Sequence, residues 1–243
     1  MFVHISAAGQ LMRSASGLPM ALQIDHIFIC CSLGAPEADA LVRMGLTEGS
    51  SNTHPGQGTS NRRFFFDNAF LELLWVSDPD EARGERTRRT RLWERWSQRT
   101  SSACPFGVVF RPTGTNTASA PFATWAYRPS YLPLGLAIEF AEGVPLEEPE
   151  LFYLPFLRRA GAPAHEPTEH ALPIRLVCGV TIGLPSAASM TPPSQAARGA
   201  GLVAYRLADE HVLELRFHAA RETVFDLRPT LPLLLQGVLQ CAT

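Results

Sequence analysis

Two polar residues interrupt strand patterns that are otherwise apolar. Glu72 lies inside Phe70 to Val76, and His26 lies near the start of Leu22 to Cys31. Removing a lone carboxylate from water costs several kcal/mol, so a buried one is normally paired, protonated or bound to a metal. An imidazole and a carboxylate can together bind a divalent metal or transfer a proton. Ion pairing of the carboxylate with Arg62 or Arg63 is the structural alternative.

The predicted elements that carry these residues are strands, with one short helix between the first strand and the others. The pattern predicts a strand, a short helix and a hairpin about the turn Asp67-Asn68: Leu22 to Cys31, Glu37 to Met44, then Arg63 to Phe66 with Phe70 to Val76. Successive strand residues point to opposite faces, and both faces of the last strand are apolar. We therefore expect Glu72 to be at least half buried.

Composition excludes several classes of function. The net charge of -2 and the hydrophobic content of 46% give no overall attraction to nucleic acid or to anionic membranes. All 21 basic residues are arginine, so the protein has no lysine nucleophile, Schiff base or P-loop. Five cysteines without a CxxC spacing predict reduced core residues of a cytoplasmic protein. No apolar run approaches the roughly 18 residues of a membrane span.

A basic segment from Pro79 to Arg99 resembles one amphipathic helix. Its apolar stripe, Leu92, Trp93 and Trp96, is expected to face protein while the arginines lie on the outer surface. Acidic residues offset much of the positive charge, and no aromatic stacking platform accompanies the segment. Nucleic-acid binding is therefore not expected.

An internal repeat suggests the domain organisation. The segments Phe70 to Trp75 and Val212 to Phe217 each form the second strand of a predicted hairpin, and each has a central Glu, Glu72 or Glu214. We predict an α+β fold of two tandem βαβββ units that form one curved mixed sheet around a cup-shaped cavity. The predicted parts are a flexible tail (1–20), a first unit (21–111), a linker (112–121) and a second, divergent unit (122–243).

Three motifs of the first unit resemble a known family. The sequences DHIFIC, THPGQGTSNRR and FLELLWV are similar to those of the glyoxalase-like branch of the vicinal oxygen chelate superfamily, which includes glyoxalases, bleomycin resistance proteins and extradiol dioxygenases. The resemblance implies a divalent metal ion in the cup, Zn, Ni, Mn, Co or Fe. In that superfamily each repeat typically supplies a His and a Glu to the metal.

Carried over to this chain, the resemblance implies the metal ligands His26, Glu72 and Glu214. The position of the second-unit His falls on Cys178 or Gly179, so a site that binds no metal is also possible. Glu72 or Glu214 would act as the catalytic base beside the metal. Ring-opening dioxygenation would need iron and the missing His, which favours a lyase or isomerase step through an enediolate.

The same resemblance implies residues that contact a small-molecule substrate. His54 and Asn61 match the loop of the family, and Arg63 and Phe70 complete the predicted set. An aromatic-rich cup suits an aromatic or oxygen-rich ligand. Two other functions remain open: a protein that sequesters a small molecule without transforming it, and a noncatalytic dimerisation scaffold with a filled cup. A homodimer is possible in any of these cases.

Overall fold

Two mixed sheets, of eight and five strands, organise the computed structural model, which describes residues 22–113, 118–158, 163–186 and 190–240. The predicted α+β class is confirmed, and the two sheets with few helices are consistent with two βαβββ units. The predicted tail, residues 1–20, lies outside the described residues. No helix in the described ranges is long and apolar enough to cross a membrane.

The eight-stranded sheet consists of two halves that meet at its centre. The first half contains β1 (Leu22–Cys30), α1 (Ala38–Met44), β2 (Asn52–His54), β3 (Thr59–Phe65) and β4 (Phe70–Val76). The second contains β5 (Phe106–Pro112), β6 (Thr124–Tyr127), β7 (Ile138–Ala141) and β8 (Glu150–Tyr153). The strand order is β2-β3-β4-β1-β5-β8-β7-β6. Because β1 is parallel to β4 and β5 is parallel to β8, the halves repeat one pairing scheme about the antiparallel β1–β5 junction.

The five-stranded sheet contains the remaining elements. They are β9 (Val177–Leu184), α4 (Pro192–Gly199), β10 (Ala204–Leu207), β11 (Val212–His218), β12 (Thr223–Asp226) and β13 (Leu233–Val238), in the strand order β10-β9-β11-β13-β12. The repeat predicted between the strands of Glu72 and Glu214 is therefore wrong. β4 is parallel to the first strand of its unit, whereas β11 is antiparallel to β9 and lies in the other sheet.

The two sheets pack face to face around the main core. Ile27, Leu71 and Val108 of the large sheet share that core with Leu213 and Leu233 of the small one. The opposite face of the large sheet, called the outer face below, carries a second apolar cluster of Phe28, Leu74, Val109 and Phe152. Side chains that alternate along each strand divide between these two faces.

The basic segment forms three short pieces instead of one helix. They are α2 (Pro79–Arg83), a 3₁₀ turn (Arg88–Thr90) and α3 (Leu92–Ser97). Leu92 is buried and Trp96 packs against the outer-face cluster, as predicted, and the Trp96 indole donates to the carbonyl of Cys31 at 2.7 Å. The expectation that the arginines are all on the surface is wrong for Arg95, whose side chain is 1% exposed.

The cysteines only partly match the expectation of reduced thiols. Cys30, Cys31 and Cys104 are free and buried. Cys178, at the second residue of β9, is disulfide-bonded, so the expectation is wrong for this residue.

Candidate functional site

Strands β1 and β4 bring His26 and Glu72 together. In the parallel ladder His26 is opposite Phe70 and Phe28 is opposite Glu72, so the four side chains share the outer face. The Nε2 atom of His26 lies 3.3 Å from Oε2 of Glu72. The two side chains are only 16% and 6% exposed. The pair that the sequence singled out therefore exists and is largely desolvated.

A buried carboxylate behind His26 fixes its ring. Asp25 lies where β1 shifts register against β5, between Ile24 and His26, and such bulges re-aim side chains. Nδ1 of His26 donates to Oδ2 of Asp25 at 2.8 Å, and Oδ1 of Asp25 lies 2.9 Å from Nε of Arg111. Asp25 directly precedes His26 in the DHIFIC motif, and its sequence context assigns it no role. Arg111, the last residue but one of β5, has no local sequence feature that marks it.

Phe70 and Arg63 complete the surroundings of the imidazole. The Phe70 ring stacks on His26, with centroids 4.3 Å apart and planes at 14°. Arg63 is opposite Glu72 in the β3–β4 ladder, and its guanidinium carbon lies 5.8 Å from the Phe70 ring centroid. Nε of Arg63 donates to the carbonyl of Ser50 at 2.7 Å. In this structure Phe70 contacts His26 and Arg63 lies beside Phe70 and Glu72. The predicted contact of Phe70 and Arg63 with a substrate remains a prediction.

Asn61 holds the carboxylate of Glu72. Its Nδ2 donates to Oε1 of Glu72 at 2.5 Å, and its Oδ1 accepts from the backbone N–H of Asn52 at 2.8 Å. Because a backbone N–H can only donate, the orientation of the amide is determined. One carboxylate oxygen of Glu72 thus accepts a hydrogen bond from Asn61, and the other faces His26.

The electrostatics follow from these contacts. Burial alone would lower the pKa of His26, but its hydrogen bonds and charge interactions with Asp25 and Glu72 raise the pKa to about 9. Burial alone would raise the pKa of Glu72, yet the contacts with His26 and Asn61 lower it. Without a metal ion the pair is therefore an imidazolium and a carboxylate in a desolvated setting.

His54 lies on the same face, at the end of β2. Its Nδ1 is 2.9 Å from Oγ1 of Thr59, and its ring centroid is 4.9 Å from that of Tyr131. Burial lowers the pKa of His54, with smaller effects from the charges of Glu72, His26 and Arg63. Tyr131, which reaches this place from the loop after β6, was missed because nothing in its local sequence marks it.

The structure does not bring Glu214 to this pair. Its neighbours Leu213 and Leu215 point into the core between the sheets, so Glu214 points to the opposite side of the five-stranded sheet. There it accepts from Nε of Arg206 at 2.8 Å. Among the residues that the structure describes, no group of three or more His, Cys, Asp and Glu side chains is placed to hold a metal.

The structure also shows which residues replace the pair in the second half of the large sheet. The β1–β4 ladder starts with His26 opposite Phe70, and the β5–β8 ladder starts with Gly107 opposite Glu150. Matched from these first pairs, Gly107 corresponds to His26 and Phe152 to Glu72. A Cβ atom on Gly107 would lie 2.1 Å from the Phe28 ring, so that ring fills the position. The second half therefore has an aromatic wall where the first half has a polar pair.

A buried ion pair lies next to this wall. The guanidinium of Arg95 lies 3.3 Å from Oε2 of Glu150 and donates to the carbonyls of Cys104 at 2.6 Å and Glu148 at 2.8 Å. Burial raises the pKa of Glu150 although Arg95 opposes the effect. The pair joins α3 to the start of β8, and it could not be predicted from the sequence because Arg95 resembles its exposed neighbours.

The spacing of the His26 and Glu72 side chains fits two coordination positions of one divalent metal ion. Two ligand atoms about 2.1 Å from one ion lie roughly 3.0 to 3.4 Å apart at octahedral or tetrahedral angles. The observed Nε2–Oε2 separation of 3.3 Å falls in that interval and is long for a charge-assisted hydrogen bond. The bond from Nδ1 to Asp25 is the contact that orients metal-binding histidines. Water or substrate would occupy the other positions.

A match over most of the chain identifies the family of this protein. A family model described as a glyoxalase-like domain matches residues 24–191. None of the curated proteins compared matches the chain. Among solved structures, a hypothetical protein from Staphylococcus aureus is 10% identical with a TM-score of 0.53, over 89% of this chain and 99% of that one.

Two further structures have lower TM-scores. Methylmalonyl-CoA epimerase from Streptomyces coelicolor, in complex with 2-nitronate-propionyl-CoA, is 15% identical with a TM-score of 0.33, over 56% of this chain and 97% of that one. A mutant of 4-hydroxymandelate synthase from Streptomyces coelicolor is 12% identical with a TM-score of 0.40, over 88% of this chain and 62% of that one. Because the family model spans most of the chain, this protein belongs to the glyoxalase-like domain family.

Proposed function

We propose that this protein is a lyase or isomerase that moves a proton on a small oxygen-rich or aromatic molecule, with the help of a divalent metal ion. The observation that carries the proposal is the desolvated pair of facing atoms, Nε2 of His26 and Oε2 of Glu72, 3.3 Å apart. Buried titratable groups that share a partner are typical of functional sites. The alternative of ion pairing between Glu72 and Arg62 is not what the geometry favours, because Arg62 contacts Glu48 and Asp39 instead.

His26 and Glu72 would hold the metal, which is Zn, Ni, Mn, Co or Fe by the chemistry of its ligands. When bound, such an ion polarises a carbonyl oxygen of the substrate and so makes a neighbouring C–H more acidic.

The residues of the chain have separate tasks in this proposal. Asp25 and the stacked ring of Phe70 hold the imidazole of His26 in one orientation. Asn61 fixes the carboxylate of Glu72, which is the group placed to accept a substrate proton. The apolar side chain of Phe28 excludes water from the same face and strengthens each of these interactions.

A second function, binding of a small molecule without its transformation, is favoured by one observation. The positions that correspond to His26 and Glu72 in the second half are Gly107 and Phe152, so the chain supplies ligands from one half only. An aromatic wall beside a single polar pair also suits a binding protein.

Metal content separates the two functions. The protein is purified without a chelator or a metal-affinity step, and its metal is measured by elemental analysis in the wild type, Glu72→Gln and Glu214→Gln. We expect about one divalent ion per chain in the wild type and in Glu214→Gln, and little in Glu72→Gln, because the amide is a poor anionic ligand. A folded wild type that neither contains nor binds a divalent ion would exclude the metalloenzyme and leave the binding protein.

A further inference from the structure

A chain of three hydrogen bonds leads from Tyr131 to His54. The Tyr131 hydroxyl donates to Oε1 of Gln57 at 2.9 Å, and Nε2 of Gln57 donates to Oγ1 of Thr59 at 2.8 Å. Oγ1 of Thr59 lies 2.9 Å from Nδ1 of His54. The chain connects the loop after β6 with the hairpin between β2 and β3, so it joins the two halves of the large sheet.

The orientation of the Gln57 amide gives these bonds one direction and thereby sets the tautomer of His54. The Tyr131 hydroxyl faces the amide oxygen of Gln57, which can only accept, so Tyr131 donates. With its oxygen committed to Tyr131, the Gln57 amide can only donate to Thr59. The Thr59 hydroxyl has one proton, and the remaining direction for it is towards Nδ1 of His54. Nδ1 is thus an acceptor, and a neutral imidazole carries its proton on Nε2.

The surroundings keep this imidazole neutral. Burial is the main cause that lowers the pKa of His54. The charge of Glu72 opposes the effect, while those of His26 and Arg63 add to it. A neutral histidine with a fixed tautomer is a directed hydrogen-bond donor, and it makes no hydrogen bond through Nε2 to any residue that the structure describes.

Close packing fixes the hairpin between β2 and β3 against the loop after β6. Gly56 has φ +79°, and a Cβ atom there would lie 2.5 Å from Oγ of Ser130. The Ser130 hydroxyl donates to the carbonyl of Pro55 at 3.0 Å. On the other side Gly58 has φ +73°, and a Cβ atom there would lie 2.2 Å from the carbonyl oxygen of Asp78. Only glycine fits either position, so the hairpin that carries His54 is docked on both sides.

We propose that His54 is a preset hydrogen-bond donor of the site, and that Thr59, Gln57 and Tyr131 hold its proton on Nε2 for a carbonyl or carboxylate oxygen of the ligand. The role towards a ligand rests on the function proposed above. A donor placed near the carboxylate of Glu72 stabilises an oxygen that gains negative charge as a proton leaves the neighbouring carbon. Thr59, Gln57 and Tyr131 are positioning residues, because they act through His54.

The tautomer is measured directly by NMR. Two-bond ¹H–¹⁵N correlation spectra of the ¹⁵N-labelled protein distinguish the two neutral tautomers and the imidazolium, and His54→Gln identifies the signals of His54. We expect the wild type at neutral pH to show the Nε2–H tautomer alone. Thr59→Val, which has nearly the same shape but no hydroxyl, should give a mixture of tautomers, and Thr59→Ser should restore the wild-type spectrum.

Three results would overturn the proposal. One is a wild-type His54 that is charged or carries its proton on Nδ1 at neutral pH, and another is a Thr59→Val spectrum equal to that of the wild type. The third concerns the ligand: pyruvate, which carries both kinds of oxygen, should shift the Nε2 signal of His54, and an unmoved signal removes the ligand role. Thr59→Val should keep the metal content of the wild type, so failure of this proposal is seen separately from failure of the metal site.

Discussion

The stability of the metal-free protein should report the charge of His26. Contacts with Asp25 and Glu72 outweigh burial and raise its pKa from 6.5 to about 9. A pKa that is higher in the folded state means that folding takes up a proton. The stabilisation is therefore complete below pH 6.5 and is lost as the pH rises through 9. The difference corresponds to about 3 kcal/mol of unfolding free energy.

Urea unfolding in EDTA, followed by tryptophan fluorescence at pH 6.5 and at about pH 9, measures this loss. We expect the wild type to lose more stability across that interval than His26→Gln, by about 3 kcal/mol at most. His165→Gln is the matched control, because this side chain is 77% exposed, and it should behave as the wild type does. Burial raises the pKa of Cys30 and Cys104 from 9 to about 12, so their effect on stability begins near pH 9, at the top of the interval, and it is common to the wild type and His26→Gln.

An equal loss in the wild type and in His26→Gln would refute the reasoning. It would show that the imidazole is uncharged in the folded protein over the whole interval. The favourable contact between the two side chains would then have to be a neutral hydrogen bond, and the carboxylate of Glu72 would lack the cation that offsets its burial.

Three other substitutions test the packing around the site. Gly107→Ala should cost about 1 to 3 kcal/mol, because its Cβ atom would lie 2.1 Å from the Phe28 ring, and Phe28→Leu in the same chain should recover part of the loss in urea unfolding. Arg95→Met should cost about 3 to 5 kcal/mol since it leaves Glu150 buried without its cation, whereas adding Glu150→Leu should restore much of that stability. Arg88→Ala, at a side chain that is 70% exposed, should change the unfolding free energy by less than about 1 kcal/mol and leave metal content unchanged.

The placement of His26 beside Glu72 could be predicted because the information for it is local. His26 and Glu72 belong to strands of one βαβββ unit that pair directly, and the alternation of each strand already assigned them to apolar surroundings. Asn61 and His54 belong to the same motif region of the sequence. Asn61 is on β3, which pairs with β4, and His54 is on β2, which pairs with β3. Because side chains alternate between the two faces of a strand and the unit is short, few arrangements of these residues are possible.

The positions of Glu214, Tyr131 and Arg95 could not be predicted, because the sequence of a strand does not determine whether it pairs parallel or antiparallel and a loop has no periodicity. The segment with Glu214 has the same alternation as the segment with Glu72, yet its strand is antiparallel to β9 and turns the carboxylate away from the site. Tyr131 comes to His54 through a loop contact between the two halves, for which no periodicity exists. Arg95 is one of many arginines in its segment, and only tertiary packing buries it.

The asymmetry between the halves has a consequence for the ligand. The ring of Phe28, from β1, covers Gly107 of the second half, and Phe152 stands at the position that matches Glu72, so apolar surface closes one side of the site. The polar groups that remain, His26, Glu72 and His54, all come from the first half. In the proposed function, a metal held by two of them would keep most of its positions for water or ligand, and the chain would have to orient the ligand by other contacts. A directed donor at His54 would supply one of these contacts, and the hairpin packed closely at Gly56 and Gly58 would hold it in place.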